Sequence, residues 1–376
     1  MLVKKRLMHP ASRRLFLKKS LMAGMACAGN PFRQFLPSFR NETKYPAWSE
    51  LVEYARWCPS VHNLQPHKLK IISQTEAELY CDPARLLPVG DPHAIFVTVA
   101  MGIFHEHLSI AASSYRKKIE ISKIFEPIKT GKTSLQFFAK LKLVSADEEE
   151  ALNRDLMLAR RTSRLHYNGR ALKQATIAKI KSGAEKFGHE FFSSSDPGLV
   201  DYIIHLNDQT LFQDISVKAD REELDHLFRY SKKEAQQHKD GLWARCMGFP
   251  GVLMKSVFEH PEKWHRGLGK AFLSKHYKAS FKGTATICWF GGRFNNTGDW
   301  LNAGKMLARN WLLITKEKAY IHPFGSLITN EAAYEKINRK FTQPREGKKI
   351  WMIFRAGYSK QPARSFRLST EEIIFK

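Results

Sequence analysis

The stretch that decides the fold reads Ala55-Arg56-Trp57-Cys58-Pro59-Ser60-Val61-His62-Asn63-Leu64-Gln65-Pro66-His67. Pro59 stops the helix before it, because proline has no amide hydrogen and its ring clashes with the preceding turn. Pro66 opens a strand, so the chain must turn between the two prolines. Ser60, His62, Asn63 and Gln65 put several side-chain donors and acceptors on that turn. A polar turn held at both ends can read the edge of a planar heteroaromatic ring. The same residue types also make an ordinary capped helix end.

Working outward, Trp48–Trp57 reads as a helix started by Pro46, and Lys68–Ile72 and Glu78–Cys81 as the strands of a hairpin. Ile95–Tyr115 is a long apolar helix, with Ile95, Val99, Ile103, His107 and Ala111 on one stripe. Ile119–Phe125 and Leu135–Leu143 follow as strands. The acidic run Ala146–Glu150 opens a helix and marks the boundary between two halves. Beyond it, Glu149–Arg161, Ile177–Phe187 and Asp196–Phe212 read as helices, and Gly283–Phe290 and Lys349–Phe354 as buried strands. Asp299–Lys318 is the strongest helix, with Asp299 as its cap and Leu301, Ala308, Trp311 and Leu312 at helical spacing. Few strands and long helices predict an α+β layered fold. Each half repeats one coarse order: helix, strand, long apolar helix, strand.

The chain has 376 residues, 43% of them hydrophobic, enough to bury a sizeable core and too many for wholesale disorder. Lys+Arg 61 against Asp+Glu 36 gives a net charge of +25 and calls for an anionic partner. Residues 1–28 read as an export signal. A basic start is followed by Ser12-Arg13-Arg14-Leu15-Phe16-Leu17-Lys18, a mild apolar stretch and Ala26-Cys27-Ala28, the order of a twin-arginine signal peptide. Its removal leaves a chain of +18, delivered by the twin-arginine export machinery to the periplasm or another extracytoplasmic space. Cys58, Cys81, Cys246 and Cys288 remain, with no C-x-x-C pair, and are either disulfide partners or buried thiols.

Several apparent motifs fail on spacing. Gly131-Lys132-Thr133 lacks the first glycine of a phosphate loop, since Glu126 stands there. His105-Glu106-His107 sets its histidines at i and i+2, on different helix faces, so no metal site is expected. Export and the lack of a known binding motif argue against nucleic acid as a partner.

A second chemical signal is Arg160-Arg161-Thr162-Ser163-Arg164-Leu165-His166-Tyr167. Three arginines and two hydroxyls in five residues suit phosphate oxygens, because charge-assisted hydrogen bonds are about twice as strong as neutral ones. A solvated basic helix end has the same composition.

Pro59, Ser60, Asn63, Gln65 and Pro66 together resemble the Pro-Ser-x-x-Asn-x-Gln-Pro turn of the FMN-dependent nitroreductase family, with His67 where the family has an aromatic. Arg160, Thr162 and Arg164 are similar to that family's phosphate and ribityl element, with Thr162 standing for serine. Phe354–Tyr358 and Pro362–Arg367 resemble its closing strand and arginine-bearing tail. Arg367 matches the last phosphate arginine best, and Arg364 is close. Asp299–Gly304 resembles the family's central helix. The resemblance sets the Gly325/Ser326 peptide against the flavin, although the family's Glu-Gly is absent there. Only the first half carries the turn, and only the second carries the arginines and the tail. The chain therefore resembles the tandem, single-chain (Acg-like) branch, a nitroreductase-like α+β fold with an N-terminal half over 46–145 and a C-terminal half over 146–376.

The resemblance implies an exported FMN oxidoreductase, monomeric and pseudo-dimeric within one chain. It would pass electrons from NAD(P)H or another reduced donor to a small electrophile, with no catalytic side chain. The alternative is an FMN-binding or storage protein with little turnover, in which Arg221–Lys275, bearing Trp243, Phe249, Trp264 and Phe272, forms a lid.

Overall fold

The computed structural model describes residues 45–376 apart from 125, 148 and 149. The signal-peptide reading over residues 1–28 lies outside them. The fold is α+β. One five-stranded sheet contains β1 (His67–Ile71), β2 (Glu76–Cys81), β3 (Lys117–Ile124) and β4 (Gln136–Ser145). A four-stranded antiparallel sheet contains β5 (Glu190–Ser194), β8 (Ile287–Gly292), β9 (Tyr320–Pro323) and β10 (Lys349–Gly357), in the order β5-β8-β10-β9. Two short strands, β6 (Phe228–Arg229) and β7 (Leu242–Trp243), pair with each other. The first sheet runs β11-β1-β2-β4-β3, its last member being β11 (Ile374–Phe375), parallel to β1. The tail thus returns to close one edge of the first sheet.

Two long helices, Ile95–Ala112 and Thr297–Lys316, pack together at the centre. They cross at two glycines. A Cβ at Gly102 would fall on the Leu301 carbonyl oxygen, and one at Gly304 on the Val99 carbonyl oxygen. Only glycine lets the two backbones approach so closely. The first helix is buried on nearly every side, from Val97 and Met101 to Leu108 and Ala111. Each large apolar side chain sealed there contributes about 1.5–3 kcal/mol. The four-stranded sheet is covered on both faces: Cys288 and Phe290 face the central helices, while Ile287 and Trp289 face a second core with Val200, Ile203 and Ile337. Alternation along β8 therefore separates two apolar layers, which is why its sequence reads as an unbroken apolar run.

Two expectations change. Asn296, not Asp299, caps the second long helix: its side chain accepts from the Asp299 amide at 3.0 Å, while the Asp299 carboxylate accepts from the Asn295 amide at 2.9 Å. The helix expected over 149–161 is reduced to Asp155–Ala159. From Arg160 the chain runs extended, because Thr162 bridges to Ile321 and the Ser163 amide donates to the Ile321 carbonyl at 3.0 Å. Tertiary pairing with β9 overrides local helix propensity there. β5 and β9 were not read from the sequence. Both are short and lie between helices, and their neighbours rather than their own pattern define them. Cys58, Cys81, Cys246 and Cys288 are free thiols.

Candidate functional site

A cavity of ≈ 680 Å³ lies between the polar turn, the arginine segment, the residues after β9 and the C-terminal tail. It falls within the roughly 300–1,000 Å³ range of small-molecule sites. Pro59, Ser60, Asn63, Arg160, Thr162, Arg164, Gly325, Ser326, Arg364 and Arg367 all line it. Residues a hundred positions apart in sequence, or three hundred, thus share one wall.

The turn is built under strain. His62, Asn63 and Gln65 have φ of 47°, 61° and 55°, in the left-handed region that costs a residue with a Cβ about 1–3 kcal/mol. The surroundings hold it there. The Ser60 hydroxyl accepts from the Gln65 amide at 2.9 Å. Gln65 donates to the carbonyls of Asn63 (3.1 Å) and Lys239 (2.9 Å), and its oxygen accepts from the Leu368 amide at 2.9 Å. Gln65 is fully buried behind the cavity wall, so this residue, placed in the site by the sequence reading, ties the turn to the tail. Asn63 spends its amino group on the Phe366 carbonyl at 3.2 Å, and its buried side-chain oxygen has no partner. His62 lines the cavity as a neutral imidazole. Burial first, and then the Arg164 charge, bring its pKa down to about 4.

The arginine segment is held from behind. Arg355 on β10 is fully buried, sits over the rings of Tyr167 (4.3 Å) and Phe281 (4.6 Å), and donates to the carbonyls of Leu165 (3.0 Å) and Ser163 (3.4 Å). Ser163 also shares a hydroxyl hydrogen bond with Ser359 at 2.7 Å. These contacts fix the backbone so that the side chains of Arg160, Arg161, Thr162 and Arg164 reach the cavity.

The charges in this wall lack counter-ions. Among the described residues, none of Arg160, Arg161, Arg164, Arg364 and Arg367 pairs with a carboxylate. Arg160 donates to the Trp57 carbonyl at 3.2 Å and lies over the Trp311 ring at 4.6 Å, but its Nε has no acceptor. Arg364 lies 3.3 Å from the Trp57 ring centroid, with Nε and one terminal nitrogen unpartnered. Nε of Arg161 and of Arg367 are likewise buried without acceptors. Burial pushes Arg160 down to about 9, with the Arg367 charge adding to it, and burial brings Arg364 and Arg367 down to about 10. All therefore stay protonated at neutral pH. One buried and four half-buried cations that share a wall and repel one another create a strong demand for an anion.

Aromatic side chains also line it, Trp57, Phe96, Trp243, Trp311, Phe324 and Trp351, together with aliphatic residues and carboxylates such as Asp214, Asp220, Glu223 and Glu331. Of the four aromatics expected in a lid, only Trp243 reaches the cavity; Phe249 packs on His276, and Trp264 on Phe272. The sequence reading gave no role to Trp57, Trp311 or Arg355. Arg355 left a signal, since a charged residue inside a buried strand is rare unless it is paired or functional. Trp57 and Trp311 left none beyond helical spacing.

No family model matches the sequence, and no curated protein matches it. Similar solved structures are nitroreductase-family proteins. They include the FMN-dependent nitroreductase NfnB from Mycobacterium smegmatis in complex with NADPH (12% identity, 55% of this chain and 86% of that chain, TM-score 0.32). A nitroreductase from Bacteroides fragilis with bound FMN is 11% identical over 58% of this chain and 93% of its own, with a TM-score of 0.33. Iodotyrosine deiodinase bound to FMN and 3-iodo-L-tyrosine is 13% identical over 59% of this chain and 96% of its own, with a TM-score of 0.35. At these TM-scores the likeness carries no weight for function, which has to be argued from the cavity.

Proposed function

We propose that the cavity binds flavin mononucleotide and that the chain is an exported, monomeric flavin oxidoreductase of the tandem nitroreductase-like kind. The observation that carries this is one cavity in which arginines without a carboxylate partner face a polar turn and aromatic walls. The donor set fits a flavin nucleotide. Arg160, Arg164 and Arg367, with the Thr162 hydroxyl, suit a terminal phosphate and a polyhydroxyl chain, and Arg364 adds to the same field. The free Asn63 oxygen and the Ser60 turn offer acceptors to the edge of a ring, and Gly325 and Ser326 offer backbone amides. Once bound, the flavin would supply hydride and single-electron chemistry, which no side chain here provides.

The chain's own part is to bind, orient and polarise. The guanidinium groups hold the anionic end in place and favour added negative charge. Tryptophan walls keep water from the ring. His62 is neutral at pH 7, so it can donate or accept a hydrogen bond without adding charge to the cavity. NAD(P)H or another reduced donor would supply electrons to a small electrophile such as a nitro compound or quinone. Export through residues 1–28 belongs to the same proposal, and mass spectrometry of the processed form should find a chain starting at Gly29.

The test is an absorbance scan of the purified, folded protein with added FMN. A flavin spectrum that bleaches with reductant and recovers with a nitroaromatic is the expected result. A yellow protein inert to both supports the storage reading instead, which is favoured by the way residues 220–247 wall the cavity. A colourless protein that takes up no FMN overturns both.

A further inference from the structure

The segment between the helix Pro197–Asp214 and β8 does more than wall the cavity. It carries the three most exposed large apolar side chains among the described residues: Leu268 at 90%, Val252 at 86% and Phe272 at 55%. Leu268 and Phe272 are four residues apart on the helix Gly267–Ala279, so they share a face. Ala271, Lys275 and Ala279 are exposed beside them. The helix already has a buried face. Leu273 packs with Phe212, Ile215 and Val257, and the Tyr277 hydroxyl accepts from Asn207 at 2.7 Å. The outward apolar stripe is therefore surplus to folding. Val252 heads the neighbouring helix, Gly251–Glu259.

The charges around this stripe are mostly positive. Lys255, Lys263, Arg266, Lys270, Lys275 and Lys278 are all exposed. Within 244–280 the acids are Glu259 and Glu262. Glu259 faces Lys255 at 3.6 Å, and Glu262 faces His260 at 3.6 Å. Trp264 sits between the two helices, with its Nε1 donating to Ser256 at 2.9 Å and its ring 6.3 Å from Phe272. Apolar tips ringed by lysines, with a half-buried tryptophan beneath, combine the two forces that hold a helix in a lipid interface: burial of apolar side chains among acyl chains, and attraction of cations to anionic headgroups. Lysine stems can lie along the apolar surface while their ammonium groups stay in the headgroup layer.

We propose that this helical hairpin docks the protein on an anionic lipid surface, with Leu268 and Phe272 entering the acyl boundary and the flanking lysines on the headgroups. A second copy of the chain is a poorer occupant, because both faces would carry the same positive charge. The proposal rests on exposed residues outside the cavity and does not depend on the flavin reading.

The whole chain is sedimented with vesicles of phosphatidylcholine alone and of phosphatidylcholine with about one-third phosphatidylglycerol. Binding to the anionic vesicles, weakened by raised salt, is expected. Leu268→Ser/Phe272→Ser should bind about tenfold more weakly, with residues 1–44 contributing equally to both proteins. Lys270→Glu/Lys275→Glu should lose binding as well. Absence of binding to anionic vesicles, equal binding to both vesicle types, or unchanged binding by the Leu268/Phe272 variant overturns the proposal. So does a dimer in size-exclusion chromatography that the same variant dissolves without any vesicle binding. Circular dichroism checks that both variants fold. FMN uptake, read from absorbance, should be the same in all three proteins, which separates failure of this proposal from failure of the flavin reading.

Discussion

Arg309 and Trp311 stand two residues apart on one helix and meet opposite electrostatic settings. Arg309 is compensated twice: its Nε lies 2.5 Å from Glu106 and a terminal nitrogen lies 2.8 Å from Glu150. Trp311 lies under Arg160, which is buried, touches a carbonyl and a ring, and has no carboxylate partner. The first arrangement joins elements. Glu106 belongs to the other long helix, and Glu150 to the segment leading into the arginine run. The second arrangement serves no such purpose, since it stores charge the fold has not neutralised. A buried ion pair is weak evidence for stability, but breaking one is costly, whereas removing an uncompensated charge should relieve the fold.

The largest expected effect tests the compensated side. Arg309→Ala leaves Glu106 and Glu150 without their partner and should lower unfolding stability by about 3 kcal/mol in denaturant titrations, with FMN affinity of the folded protein unchanged. Arg160→Ala should behave the other way. FMN binding should weaken by about 1.5–3 kcal/mol, measured by fluorescence titration, while the ligand-free protein becomes no less stable. If Arg160→Ala destabilised the ligand-free chain as much as Arg309→Ala does, the contrast between the two sites would be lost.

Acid sharpens the same comparison, because the interior also holds bases that burial keeps neutral. His105 and His107 are buried with both ring nitrogens unpartnered, and burial brings each down to about 3. In the unfolded chain each would titrate near 6.5. Between those values the unfolded state binds more protons than the folded one, so stability is full above about pH 6.5 and falls as the pH drops towards 3. Each histidine should contribute about 1.4 kcal/mol per pH unit to that slope. Denaturant curves at pH 7, 6 and 5 measure it, and a flat profile over that range would show that these imidazoles reach water.

The smallest effect is at the start of the helix that carries both Arg309 and Trp311. Asn296→Ala removes the cap and should cost about 1 kcal/mol in thermal unfolding without changing FMN affinity. A loss of affinity there would mean that the helix position, and not the charge of Arg160, governs the cavity.

Much of the fold could be read before the structure. The long helices, the hairpin of β1 and β2 and the buried strands β8 and β10 follow from periodicity and from proline and glycine punctuation, which are local properties. β9 and the extended run from Arg160 could not be read this way. Thr162 takes its bridge from Ile321, and a helical composition gives no hint of a partner so distant in sequence. The site was legible as residue types, since a polar turn and an arginine run announce their chemistry by composition. Ten of the eleven named residues line one cavity. Gln65 has the right composition for a ligand, but it turned inwards because three backbone groups, on Asn63, Lys239 and Leu368, needed it more.

The sequence by itself determined the long helices and the buried strands β8 and β10, that the chain carries a large positive excess, and that three arginines fall within five residues. Only the tertiary structure decided which arginines find carboxylates. Arg309 meets a glutamate 203 positions away, and Arg160 meets none. Local patterns follow from short-range sterics and solvation, but the neutralisation of a buried charge depends on which distant groups the packed chain brings within a few ångströms of it.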